Sequence, residues 1–162
     1  RQPNEGLDIF INEANLVDLS EFDLPFKVTK EMIHSRIDTN DKKELIILRS
    51  DLTNKVGYES KEWHLKAPSI ELEAAKWIAD SGFKSVCLDF PQDYIAREMP
   101  DRVVYNKEFE IHHTIFDSGC TFIEDLMDLG KISKSTTQIC AIPLKMDCFD
   151  GAPMRTIAID WD

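Results

Sequence analysis

Apolar and polar positions along this chain repeat with two periods, and each period marks one kind of element. Residues 44–50, Glu-Leu-Ile-Ile-Leu-Arg-Ser, hold four consecutive aliphatics between charges, the pattern of a strand buried on both faces of a sheet. Residues 84–90, Lys-Ser-Val-Cys-Leu-Asp-Phe, predict a second such strand, and the looser alternation over 15–20 predicts a short one before them. Between them the period becomes helical. Thr29 can cap a helix with Glu31 in its first turn and Met32, Ile33 and Ile37 facing inward, leaving His34 near solvent. Ser69, after Pro68, can cap another, with Ile70, Ala74, Trp77 and Ile78 as its buried stripe and Gly82 at its end. Strand, helix, strand, helix, strand predicts an α/β domain with a partly parallel sheet.

Residues 51–67 lack a clear period and predict a long loop, a kind of segment that often carries function. Tyr58, Trp63 and His64 lie in it. Its aromatic residues could form a lid over a planar substrate, and Trp63 could equally pack against the sheet edge. Phe109, His112, His113 and Phe116 then fall on one face of a short helix, with Gly119 as its left-handed end and a strand from Cys120 to Glu124 after it. Residues 138–145 predict a strand ended near Pro143, and 154–159 a last strand, joined across a turn at Asp150-Gly151-Ala152-Pro153.

Composition narrows the class. With 162 residues the chain suits one domain, large enough to bury roughly 70% of its unfolded surface. Thirty acidic against nineteen basic residues give a net charge of −11, which argues against a nucleic-acid or anionic-membrane partner. There is no apolar run of membrane-spanning length and no signal-sequence pattern at the start, so a soluble, cytoplasmic protein is expected. Cys87, Cys120, Cys140 and Cys148 lack CxxC spacing and are expected to be free thiols, mostly buried. The chain opens on Arg1 and not on Met, which suggests processing, trimming or a start partway through a longer product.

The candidate chemistry sits at 112–124. Seven helical steps from His112 to Gly119 rise ~10 Å, and the strand back to Glu124 returns ~13 Å. If the strand doubles back, an imidazole and a carboxylate end at one level, a donor pair that suits zinc or manganese. Spacing alone fits a packed, hydrogen-bonded histidine more often than a ligand. In sheets of this class ligands lie beyond the carboxyl ends of strands, where Asp89, Asp93, Tyr94 and Arg97 fall.

The motifs taken together resemble a family. His112, Gly119 and Glu124 keep the offsets of the C-terminal half of the cyclase family of metal-dependent hydrolases, which includes bacterial kynurenine formamidase and isatin hydrolase. Residues 68–82 are similar to that family's Pro-x-x-Ser/Ile-x-x-Glu-Ala-Ala-x-Trp helix. Residues 89–94, Asp-Phe-Pro-Gln-Asp-Tyr, look like its next loop, while 142–145 and 150–155 resemble its closing Pro-Leu-Lys and Asp-Gly-x-Pro-x-Arg signature. The resemblance implies a single cyclase-like domain of the swivelling β/β/α type, a mixed sheet flanked by helices. It implies that His112 and Glu124 are ligands of zinc or manganese, with His113, Asp89, Asp93, Tyr94, Arg97 and Trp63 as pocket candidates. A metal-activated water would open a C–N bond in a small-molecule formamide or cyclic amide, and the protein would form a homo-dimer or homo-tetramer. The family's N-terminal motif, His-x-Gly-Thr-His-x-Asp-x-Pro-x-His, is absent from this chain, whose residues 15–20 look like the strand after that motif. Two protein ligands fall short of the usual three for catalytic zinc, so the chain alone is expected to bind metal poorly. The second reading is therefore a binding or assembly module that keeps the fold without a complete metal site.

Overall fold

The computed structural model describes residues 6–146 and 151–161. Its centre is the aliphatic run of β3 (Leu45–Arg49), whose first four residues are all buried. β1 (Ile11–Asp18) and β5 (Ser85–Leu88) pair with it on either side in parallel, and β6 (Thr121–Ile123) extends the parallel set beyond β5. β7 (Thr136–Pro143) runs antiparallel to β1, and β8 (Met154–Ile159) antiparallel to β7, giving one mixed sheet in the order β6-β5-β3-β1-β7-β8. The mixed, partly parallel character comes from the chain's two halves. Crossovers that carry helices return β3, β5 and β6 in one direction, whereas the link from β6 to β7 sets β7 antiparallel to β1, and β8 runs back beside β7.

Alternate residues of β3 serve opposite faces. Ile46 and Leu48 join Val17, Val86, Leu88 and Phe122 in a core under α1 (Lys30–His34), α4 (Leu72–Asp80) and α5 (Glu110–Asp117). Leu45 and Ile47 join Ala14, Cys87, Ile123 and Ile139 beneath Leu126, Leu129 and Ile132, so a mostly irregular segment with one 3-10 turn, and no α-helix, covers that face. α4 and α5 pack side by side on the helical face. Among the described residues no helix is long and apolar enough to cross a membrane.

Several expectations hold in detail. Thr29 caps α1 by accepting the Met32 N–H at 3.3 Å. Gly82 and Gly119 take the left-handed conformation past the ends of α4 and α5, at φ 72° and 95°. His34 is exposed, its ring edge-on to Trp77.

Others are corrected. Ser69 does not cap a helix: Ser69–Ile70 is a short strand, β4, parallel to β2 (Lys27–Val28), and α4 begins only at Leu72. The Ser69 N–H donates to the Phe26 carbonyl and the Glu71 N–H to the Val28 carbonyl, so pairing with a distant strand overrides the local capping signal. Residues 51–67 are not an unstructured loop but carry two one-turn helices, α2 (Leu52–Val56) and α3 (Glu62–Lys66). Neither has a side-chain cap, and the burial of Leu52 and Trp63 holds them in place, which local sequence does not announce. β1 starts four residues earlier than its predicted strand, and β7 ends at its proline as expected. Cys87 and Cys120 are buried free thiols, whereas Cys140 is only half-buried. Cys148 and Asp150 of the expected turn lie outside the described residues.

Candidate functional site

Polar groups collect beyond the carboxyl ends of β3, β5 and β6. Asp89 comes directly after β5 and is buried, its carboxylate accepting the Ser50 N–H and Oγ–H and the Asp51 N–H, each at 2.8 Å. Burial pushes its pKa up, against the hydrogen bonds from Ser50 and Asp51 that lower it. This carboxylate ties the end of β3 to the end of β5 and does not line the cavity around His112.

Asp93, also buried, reaches the first turn of α5. Its oxygens accept the Ile111 N–H at 2.8 Å and the His112 N–H at 3.2 Å, supplying from another element the anionic cap that Phe109 does not. The same carboxylate stands 2.7 Å from His112 Nδ1. A carboxylate can only accept, so the shared proton is assigned to Nδ1, which in the neutral imidazole makes Nε2 the nitrogen with the lone pair. Phe109, Phe116 and Phe122 surround the imidazole at ring-centroid distances of 5.5, 5.5 and 5.2 Å.

Glu124 arrives from the end of β6. Its Oε1 lies 3.6 Å from His112 Nε2, so helix, left-handed turn and returning strand do bring the two side chains to one level. Gln92 stands against both: its Nε2 donates to Glu124 Oε1 at 2.9 Å and lies 2.9 and 2.8 Å from His112 Nδ1 and Nε2. Those near-equal distances place the amide against the imidazole face and off the in-plane axis of either nitrogen.

These residues open into a cavity of about 380 Å³ lined by Tyr58, Trp63, His64, Pro91, Phe109 and Met99 as well as Gln92, Asp93, His112, Glu124 and Asp125. The Trp63 indole N–H donates to Thr53 Oγ1 at 3.3 Å and its ring is edge-on to His64 and Tyr58. Burial raises the Asp125 pKa, opposed by the charge of His64. Of the pocket candidates, Trp63 and Asp93 line this cavity. Tyr94 is exposed and lines a different groove. Arg97 stacks on Tyr94 at 4.9 Å and donates to the Ala67 carbonyl. His113 sits on the exposed side of α5, its Nε2 3.0 Å from the Asn106 carbonyl oxygen. Sequence does not single out Gln92 for the site, and it places His64 only within the 51–67 segment, with no role of its own. Gln92 stands inside the run 89–94, and its place beside Asp93 is the available signal.

The donor pair fits a cation. Bonds of ~2.0–2.1 Å in a tetrahedral arrangement put two donors ~3.4 Å apart, close to the observed 3.6 Å, and a carboxylate behind the distal ring nitrogen is the usual support of a ligating histidine. It remains a pair, for among the described residues no three His, Cys, Asp or Glu side chains are grouped to hold a metal.

No family model matches the chain. It is 21% identical over 151 residues to kynurenine formamidase of Bacillus cereus, covering 93% of this chain and 64% of the relative, so it spans about two thirds of the length of the curated relatives it matches. Among solved structures it is similar to isatin hydrolase A from Labrenzia aggregata, with a TM-score of 0.74 at 17% identity over 94% of this chain and 62% of the other. It is also similar to a protein described as a potential metal-dependent hydrolase with cyclase activity, with a TM-score of 0.72 at 20% identity over 100% of this chain and 71% of that one. These likenesses establish the fold, a mixed sheet with helices of the cyclase-like kind.

Proposed function

We propose that the protein is a metal-dependent hydrolase that opens the C–N bond of a formamide or cyclic amide, with His112 and Glu124 as two donors to a divalent cation. The observation that carries this reading is the 3.6 Å approach of His112 Nε2 to Glu124 Oε1, with Asp93 behind the imidazole. The resemblance to kynurenine formamidase and to the isatin hydrolase fold supports the substrate class. Imidazole and carboxylate suit zinc and manganese alike.

When bound, such a cation polarises an amide carbonyl and supplies an activated water at neutral pH. Asp93 holds the imidazole in one tautomer and one orientation. Tyr58, Trp63, Pro91 and Phe109 give the cavity flat apolar walls that suit a planar aryl group. His64, whose Nδ1 is buried without a hydrogen-bond partner among the described residues, faces the same space.

The test is hydrolysis of aryl formamides and cyclic amides, N-formylkynurenine and isatin among them, by the purified gene product containing this chain, with its metal content measured alongside. Hydrolysis that falls at least 100-fold in His112→Ala and Glu124→Gln supports the reading. A metal-loaded protein inert towards the whole substrate class overturns it and favours a binding module that has kept the fold.

A further inference from the structure

Two residues that hold polar contacts to the donor pair, Gln92 and Asp93, are neighbours in sequence. Asp93 engages His112 through Nδ1, and Gln92 engages Glu124 through Oε1. Gln92 is only 1% exposed, whereas the side chain of its partner Glu124 is 43% exposed at the open end of β6. A carboxylate that open would otherwise sample several rotamers, and a buried donor at 2.9 Å removes that freedom. The orientation of the amide is itself informative. Its Oε1 is buried without a hydrogen-bond partner among the described residues. Turning the amide over would set its oxygen 2.9 Å from Glu124 Oε1, lone pair against lone pair, so the carboxylate dictates which end faces it.

We infer that Gln92 is a positioning residue that acts through Glu124, fixing the carboxylate beside His112 so that the pair is set for a cation before one arrives. A carboxylate oxygen has two lone pairs, so Oε1 accepts the amide N–H and still faces an ion. The dipeptide Gln92-Asp93 thus works as a clamp, Asp93 on His112 Nδ1 and Gln92 on Glu124 and against the imidazole face, carried on the segment that leaves β5. This inference rests on the metal reading proposed above.

The experiment is a Mn²⁺ titration of the purified protein, followed by paramagnetic broadening of the His112 ring signals in NMR, a readout that stays specific to the site when binding is weak. Gln92→Leu keeps the side chain's bulk without its donor, and Gln92→Asn keeps an amide too short to reach Glu124. Both variants should need about 10-fold or more Mn²⁺ for half-broadening, with melting temperatures close to the parent protein's. If Gln92 works through Glu124, adding Gln92→Leu to Glu124→Gln leaves the titration where Glu124→Gln alone puts it. Unchanged or tighter Mn²⁺ binding in both single variants overturns the inference while leaving the metal pair standing. A parent protein whose His112 signals do not respond to millimolar Mn²⁺, and which Glu124→Gln does not alter, overturns the metal reading and the clamp together.

Discussion

Asp89 and Asp93 stand four residues apart beyond β5, equally buried, and they serve different parts of the molecule. Asp89 spends its carboxylate on the backbone and hydroxyl at the end of β3, joining two central strands. Asp93 divides its carboxylate between the first turn of α5 and the imidazole of His112. One holds the scaffold and the other aims a side chain into a cavity. A buried acid is therefore not by itself a mark of chemistry; what its oxygens accept from decides its role.

The largest expected effect breaks the scaffold side of this comparison. Asp89→Ala leaves two backbone N–H groups and the Ser50 hydroxyl without their buried acceptor and should cost about 3 kcal/mol, read as a fall of roughly 6–12 °C in melting temperature. Asp93→Asn should act on the site instead. Mn²⁺ affinity at His112 should drop about 10-fold or more, while stability changes by about 1 kcal/mol from the weakened cap of α5. If Asp93→Asn melts as early as Asp89→Ala and leaves Mn²⁺ binding intact, the two acids are both structural and the distinction fails.

A third variant asks whether the return path, more than the clamp, places Glu124. Gly119 turns the chain from α5 to β6 at φ 95°, where a Cβ is strained, so Gly119→Ala should cost about 1–2 kcal/mol in denaturant unfolding. Mn²⁺ binding should survive if Gln92 still engages the carboxylate.

The smallest effect is in pH. Burial raises the folded-state pKa of Asp89, outweighing the hydrogen bonds that lower it. A raised value means that the native state holds the proton more tightly than the unfolded chain does, so this group's contribution to stability is full below its unfolded pKa. It declines as pH rises through the folded value. Asp89→Asn removes that decline. Between pH 3 and 7 the melting temperature of the variant should gain on the parent protein as pH rises, and the opposite trend would mean that the hydrogen bonds outweigh burial.

Much of the frame was legible in the linear pattern. β3 and β5 are runs that only a doubly covered strand tolerates, and the 109–119 stripe with its glycine foretold α5 and the turn into β6. Ser69 and the 51–67 segment depart from the local pattern for one reason, since both depend on partners far away in the chain: β2 for the first, the core around Trp63 for the second.

For the site, the periodicities of helix and strand give the lengths that put His112 and Glu124 at one level once β6 doubles back on α5, because rise per residue is a local property of the backbone. The rest was a matter of tertiary structure. Sequence does not separate Asp89 from Asp93, put Gln92 against a carboxylate 32 residues away, or move His113 and Arg97 out of the cavity. Those outcomes depend on the parallel register of β3, β5 and β6, which brings the ends of three strands together at one edge of the sheet. A hydrogen bond is specified only when both its partners are placed, and here the second partner always comes from another strand end or helix.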